Sequence, residues 1–177
     1  MAYFISQILV VLGMIFLGLT YISKDKRAIL ILCILSCSMY SLQYLLIGAN
    51  TGMFMTLLGV FRAVYFYFDD KHLKKKNLSS LLVLICSYVI FGVISYDGFI
   101  SLFPVIASII YTYSVWQYNL LVYRWMAVPV SLLWIIYNIS VPTLFGTITE
   151  CILLTVEIYS IVTYCKNKSE LKDGLID

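Results

Sequence analysis

At 177 residues the chain could form a single soluble domain, but 62% hydrophobic and 12% charged residues, with a mean hydropathy of +0.96, exclude one. Soluble domains are about half apolar and about a quarter charged. The composition is that of an integral membrane protein. Its net charge of +3 is no nucleic-acid signal, because the lysines and arginines lie almost wholly between apolar runs.

A membrane-crossing helix needs about 17–25 mostly apolar residues. Seven runs qualify: residues 3–23, 28–47, 52–68, 78–95, 99–116, 125–141 and 144–165. The runs are continuous rather than alternating, which predicts helices and not a barrel. The first starts at Tyr3 without a basic stretch before it, so no cleavable leader is expected. Connections are short and leave no room for a separate soluble domain.

Basic residues fall after alternate runs: Lys24, Lys26 and Arg27; Lys71 and Lys74 to Lys76; Arg124; then Lys166, Lys168 and Lys172. The other connections carry none. The positive-inside rule then places the N-terminus outside and the C-terminus in the cytoplasm. Arg62, in the third run, is the one basic residue left inside the lipid. An arginine at that depth costs roughly 2.5–3.5 kcal/mol on insertion scales, which implies a partner or a cavity.

Seven runs invite a search for a repeat. Ile5-Ser6 and Ile100-Ser101 open the first and fifth runs 95 positions apart, and Gly52 and Gly146 fall 94 apart in equivalent turns. The expectation is an all-α membrane protein of seven transmembrane helices, arranged as two parallel three-helix bundles joined by a linker helix (3+1+3). Residues 1–68 form the first bundle, 69–98 a basic loop and linker, 99–165 the second bundle, and 166–177 a cytoplasmic tail.

Glu150 and Glu157 are seven apart, on one face of the last helix. The 95-residue offset sets Glu157 opposite Arg62, which makes an Arg62–Glu157 ion pair the leading pairing and Arg62–Glu150 the alternative, either as a gate or as a static lock between helices. Trp134 and Asn138 share a face of the sixth helix, and the equivalent positions of the second are Tyr40 and Tyr44, with Gln43 beside them. Together they suggest a pocket for a small polar solute. The plainer reading makes the aromatics interfacial and lets Asn138 bond a neighbouring helix. Gln7 is a weaker candidate at the entrance. Pro104 and Pro129 are candidate hinges, although a proline within the first turn would not kink a helix. Gly13, Gly18 and Gly59 read as packing residues. The five cysteines form no CxxC pair and suggest neither a metal site nor a disulfide. His72 sits among lysines, and no enzyme motif appears, so neither catalysis nor a cofactor is expected.

These residues carry a family resemblance. Gln7, the loop Lys24-Asp25-Lys26-Arg27, Phe61-Arg62, the LFPVIAS stretch around Pro104, the W-x-x-x-N of Trp134 and Asn138, and the G-T-x-x-E of Gly146, Thr147 and Glu150 resemble the YgjV-type bacterial inner-membrane proteins. That family looks related to the PnuC and SWEET (PQ-loop-like) transporters. The likeness spans about residues 3–165. It implies a SWEET- or PnuC-like fold in the bacterial cytoplasmic membrane, with Trp and Asn in a central pocket. Gly59 and Glu157 stand where such proteins carry asparagine, so Glu150 becomes the family-wide candidate to partner Arg62. The resemblance and the residues together point to facilitative, passive or ion-coupled transport of a small polar solute such as a vitamin precursor, nucleoside or sugar. The alternative is a non-transporting sensor, immunity-type protein or partner subunit. Expected partners are the bilayer and the solute, without nucleic acid; the sequence leaves a homo-oligomer open.

Overall fold

The computed structural model describes residues 2–72, 78–117, 119–141 and 143–173. They form α1 (Ala2–Ile22), α2 (Lys26–Leu46), α3 (Asn50–His72), α4 (Leu78–Ile94), a 3-10 turn (Phe99–Ser101), α5 (Leu102–Trp116), α6 (Leu120–Ser140) and α7 (Leu144–Asp173), with no strand among them. Helix starts follow local chemistry. The Asp25 carboxylate accepts from the Arg27 and Ala28 amides ahead of α2, and Asn119 Oδ1 accepts from the Leu121 amide ahead of α6. Each satisfies amides that the first turn leaves without intrahelical partners. Gly48 (φ 73°) and Gly98 (φ 93°) turn the chain after α2 and before α5 in a backbone region that side chains disfavour.

Among the described residues six helices are long and apolar enough to cross a membrane, and α4, at 17 residues, is a shorter apolar helix. The fourth run ends early because Ser95 to Gly98 are drawn into the turn that precedes α5. Four other boundaries differ clearly from expectation. α3 starts two residues sooner and runs to His72, and α7 continues past residue 165 to Asp173. α6 begins at Leu120 rather than residue 125. Arg124, expected in a basic loop, therefore lies inside the helix and is 5% exposed. Its Nη1 donates to the Ser160 carbonyl of α7, and its guanidinium lies over the Tyr164 ring at 4.8 Å. A cation–π contact and a carbonyl acceptor stand in for water there. Lys74 to Lys76 and Pro142 lie outside the described residues.

The polarity of the fold is reversed relative to a soluble protein. Outward positions are apolar, among them Phe4, Phe61, Val93 and Ile139, whereas buried positions include Ser36, Gln43, Thr112, Ser131 and Asn138. Lipid supplies no hydrogen bonds, so polar groups must meet one another inside. Helix contacts close a ring in the order α1, α2, α3, α5, α6, α7 and back to α1, and α4 packs outside it against α3 and α5. α3 and α7 thus stand opposite each other, two helices apart either way. Two apolar clusters fill the ring. One, containing Tyr21, Leu30, Phe66 and Tyr123, lies toward the basic end; the other, containing Val10, Tyr40, Tyr44 and Tyr137, lies toward the opposite end.

Candidate functional site: a cavity at the centre of the ring

Between the two clusters is a cavity of about 60 Å³ to which all six ring helices contribute and α4 does not. That volume holds a few water molecules. Arg62 of α3 and Glu150 of α7 reach it, as do Tyr40 and Tyr44 of α2, Tyr111 of α5 and Trp134 of α6.

Arg62 is 2% exposed. Its Nη1 donates to the Tyr88 hydroxyl of α4 (3.3 Å) and to Thr112 Oγ1 of α5 (3.2 Å), and its guanidinium lies 4.6 Å from the centre of the Tyr111 ring. Nε has no partner. The expected Arg62–Glu157 ion pair is therefore corrected, and so is its alternative: among the described residues Arg62 pairs with no carboxylate. Sequence offset puts Glu157 opposite Arg62, but α3 and α7 are held apart by the width of the ring. The charge is met instead by hydroxyls and an aromatic face, which disperse it without a counter-ion.

Glu157 is 0% exposed. Its Oε1 accepts from Ser131 Oγ of α6 at 2.7 Å, and its Oε2 has no partner. Glu150, one helical face along and 5% exposed, reaches the cavity beside the same serine. No cationic side chain among the described residues pairs with either. The cavity is thus bordered by a buried guanidinium and a buried carboxyl that do not pair with each other.

Toward the end away from the lysines, Tyr44, Trp134 and Tyr137 form a layer that separates the cavity from a larger recess of about 540 Å³ rimmed by Asn50, Asp97 and Tyr137. Tyr44 and Trp134 stack with centroids 5.7 Å apart, and Tyr137 meets both edge-on. The Tyr44 hydroxyl donates to Asn138 Oδ1 (2.7 Å), and the Gly52 amide donates to the Tyr137 hydroxyl (3.0 Å). Toward the basic end, the hydroxyls of Tyr111 and Tyr123 lie 2.9 Å apart, and that of Tyr123 is 2.7 Å from Thr20 Oγ1. Tyr123 also borders a recess of about 130 Å³ with Lys24 and Lys26 on its wall. One aromatic layer closes the cavity at each end.

Of the residues singled out from sequence, Tyr40, Tyr44, Trp134, Arg62 and Glu150 border the cavity. Asn138 does not: it is 2% exposed, with its oxygen occupied by Tyr44. Gln43 donates to Thr143 across the bundle (3.3 Å), and Gln7 donates to its neighbour Ser6 (3.1 Å); each keeps an unpartnered buried Oε1. Pro104 sits in the first turn of α5, where proline removes no intrahelical bond, whereas Pro129 is interior to α6. Sequence reasoning misses Tyr88, Thr112, Tyr111 and Ser131. A polar group in the middle of each span is visible, but fifteen tyrosines give no means of ranking one.

No curated protein and no solved structure matches the chain. A family model does: Imp-YgjV, bacterial inner membrane protein, matches residues 4–168. Six apolar spans around a buried polar centre, and a match covering nearly the whole chain, place this protein in the Imp-YgjV family of bacterial inner membrane proteins.

Proposed function

We propose that the protein is a facilitative carrier of a small polar solute, with the central cavity as its binding site. The observation that carries this reading is a cavity walled by all six ring helices, with Arg62 and Glu150 set in mainly apolar surface and a recess beyond a single aromatic layer at each end. Such a cavity opens to one side or the other when one layer parts. Its small volume corresponds to a closed state, and a solute enters as the helices separate. Two three-helix units, α1–α3 and α5–α7, rocking about the cavity would do this, with α4 as the linker that lets both run in the same direction. The parallel 3+1+3 repeat and the likeness to SWEET and PnuC carriers belong to this reading, as do an external N-terminus and a cytoplasmic C-terminus. Tyr40, Tyr44 and Trp134 line the solute, and Arg62 and Glu150 fix its orientation. Nothing in the chain suggests ATP use, so movement is passive or ion-coupled.

The test is reconstitution into liposomes and uptake of labelled sugars, nucleosides, vitamin precursors and amino acids. One class should equilibrate with saturable kinetics and lose at least tenfold in rate in Trp134→Ala. If no class crosses while the protein stays folded, the non-transporting reading replaces this one. The modest cavity volume is the observation that favours that alternative, a sensor or partner subunit with a closed polar core.

A further inference from the structure

The ionisable groups that meet the cavity narrow the class of solute. Arg62 enters it from α3 and Glu150 from α7, on opposite sides of the ring. Neither has an oppositely charged partner among the described residues. Arg62 Nε and the Tyr40 hydroxyl are buried without any hydrogen-bond partner, and both groups border the cavity. A buried charge is tolerated when something of opposite sign or a strong dipole meets it. An uncharged solute would give neither the unpartnered Arg62 Nε nor the Glu150 carboxyl a charged partner. A simple anion would engage Arg62 and leave the Glu150 carboxyl without a cation, and a simple cation would do the reverse.

We infer that the cavity takes a zwitterion, a solute with an anionic group for Arg62 and an ammonium for Glu150, as an amino acid with separated charges has. The inference rests on the carrier reading for its site and adds the substrate class. Geometry favours separated charges. α3 and α7 both begin at the end away from the lysines; Glu150 lies six residues into α7 and Arg62 twelve into α3. At 1.5 Å per residue their backbones differ in depth by roughly 9 Å. Trp134, Tyr44 and Tyr40 on the wall offer ring faces to an ammonium and apolar surface to a methylene chain.

The experiment uses the full-length protein in detergent and in liposomes. Probes are glycine, 4-aminobutanoate and 5-aminopentanoate, with butanoate and butylamine as single-charge controls and ribose and uridine as uncharged ones, at equal ionic strength. A zwitterion, the longer two before glycine, should raise the unfolding temperature by a few degrees and exchange across the liposome, while butanoate and butylamine do neither. E150Q should lose on the order of tenfold or more in apparent affinity for the zwitterion and cease to discriminate against butanoate, as loss of a charged hydrogen bond does. R62K should retain binding that is weaker than wild type, which separates loss of the charge from failure to fold. If ribose or uridine stabilises and crosses while the zwitterions are silent, this inference falls and the carrier reading stands. If nothing stabilises or crosses, both fall. An unchanged zwitterion response in E150Q also overturns the assignment.

Discussion

Arg62 shows how far a single residue can be read. A lone arginine in a lipid-length run is conspicuous, and the need for a partner comes from the cost of burying its charge. The partner's identity does not. Tyr88 and Thr112 are neutral, on two different helices, 26 and 50 residues away, and no spacing rule singles them out. Looking for an opposite charge leads to Glu157, which the fold places across the ring and bonds to Ser131. Because Tyr88 and Thr112 accept from the same Nη1, Tyr88→Phe and Thr112→Val should each cost about 1–3 kcal/mol, and the double substitution should depart from additivity. Thermal unfolding in detergent reads all three. Tyr44→Phe removes the donor to a 2%-exposed Asn138 and should cost a similar amount.

At the scale of elements, helix identity is legible and helix ends are less so. Continuous apolar runs fix a helix in lipid because no other backbone arrangement satisfies itself there. The start of α6 differs from expectation because Arg124 reads as a loop residue, although a guanidinium can enter a helix when a carbonyl and a ring receive it. The turn into α3 is easier, since Gly52 has a defined use. A Cβ at that position would lie 2.9 Å from the Tyr44 ring and 3.1 Å from the Tyr137 ring. Gly52→Ala should therefore unseat the aromatic layer and loosen the Gly52–Tyr137 bond. Cys37 borders the cavity and reports on this. With the other four cysteines replaced by serine, a small thiol reagent should modify Cys37 several-fold faster in Gly52→Ala than in the unaltered turn. Equal rates would separate the layer from access to the cavity.

For the whole molecule, composition dictates the environment, and loop charge suggests the direction. Lysines and arginines gather at one end, in the α1–α2 and α3–α4 connections, near the start of α6 at Arg124 and at the end of α7, whereas the connections at the other end carry none. A reporter fused after α7 should accordingly be active only as a cytoplasmic fusion; activity as an exported enzyme would reverse the assigned direction. The closed ring, with α4 outside it, cannot be read from sequence. The order of spans gives neighbours in the chain, and the α1–α7 and α3–α5 contacts that close the ring join helices distant in sequence.

The placement of Arg62's hydrogen-bond partners has a consequence for how the chain is made. α3 is the least hydropathic of the six long spans, at 1.3, and it leaves the ribosome with its arginine before α4 and α5 exist. Until Tyr88 and then Thr112 are synthesised, the guanidinium has neither hydroxyl to donate to, and the helix is a marginal candidate for lipid entry. Membrane integration of α3 should then depend on the synthesis of α4 and α5. A nascent chain stopped before residue 78 should show α3 incompletely inserted in a translocon assay, and extension past Trp116 should complete it. Biogenesis would thus proceed by retention of one helix at the insertion site until its companions arrive.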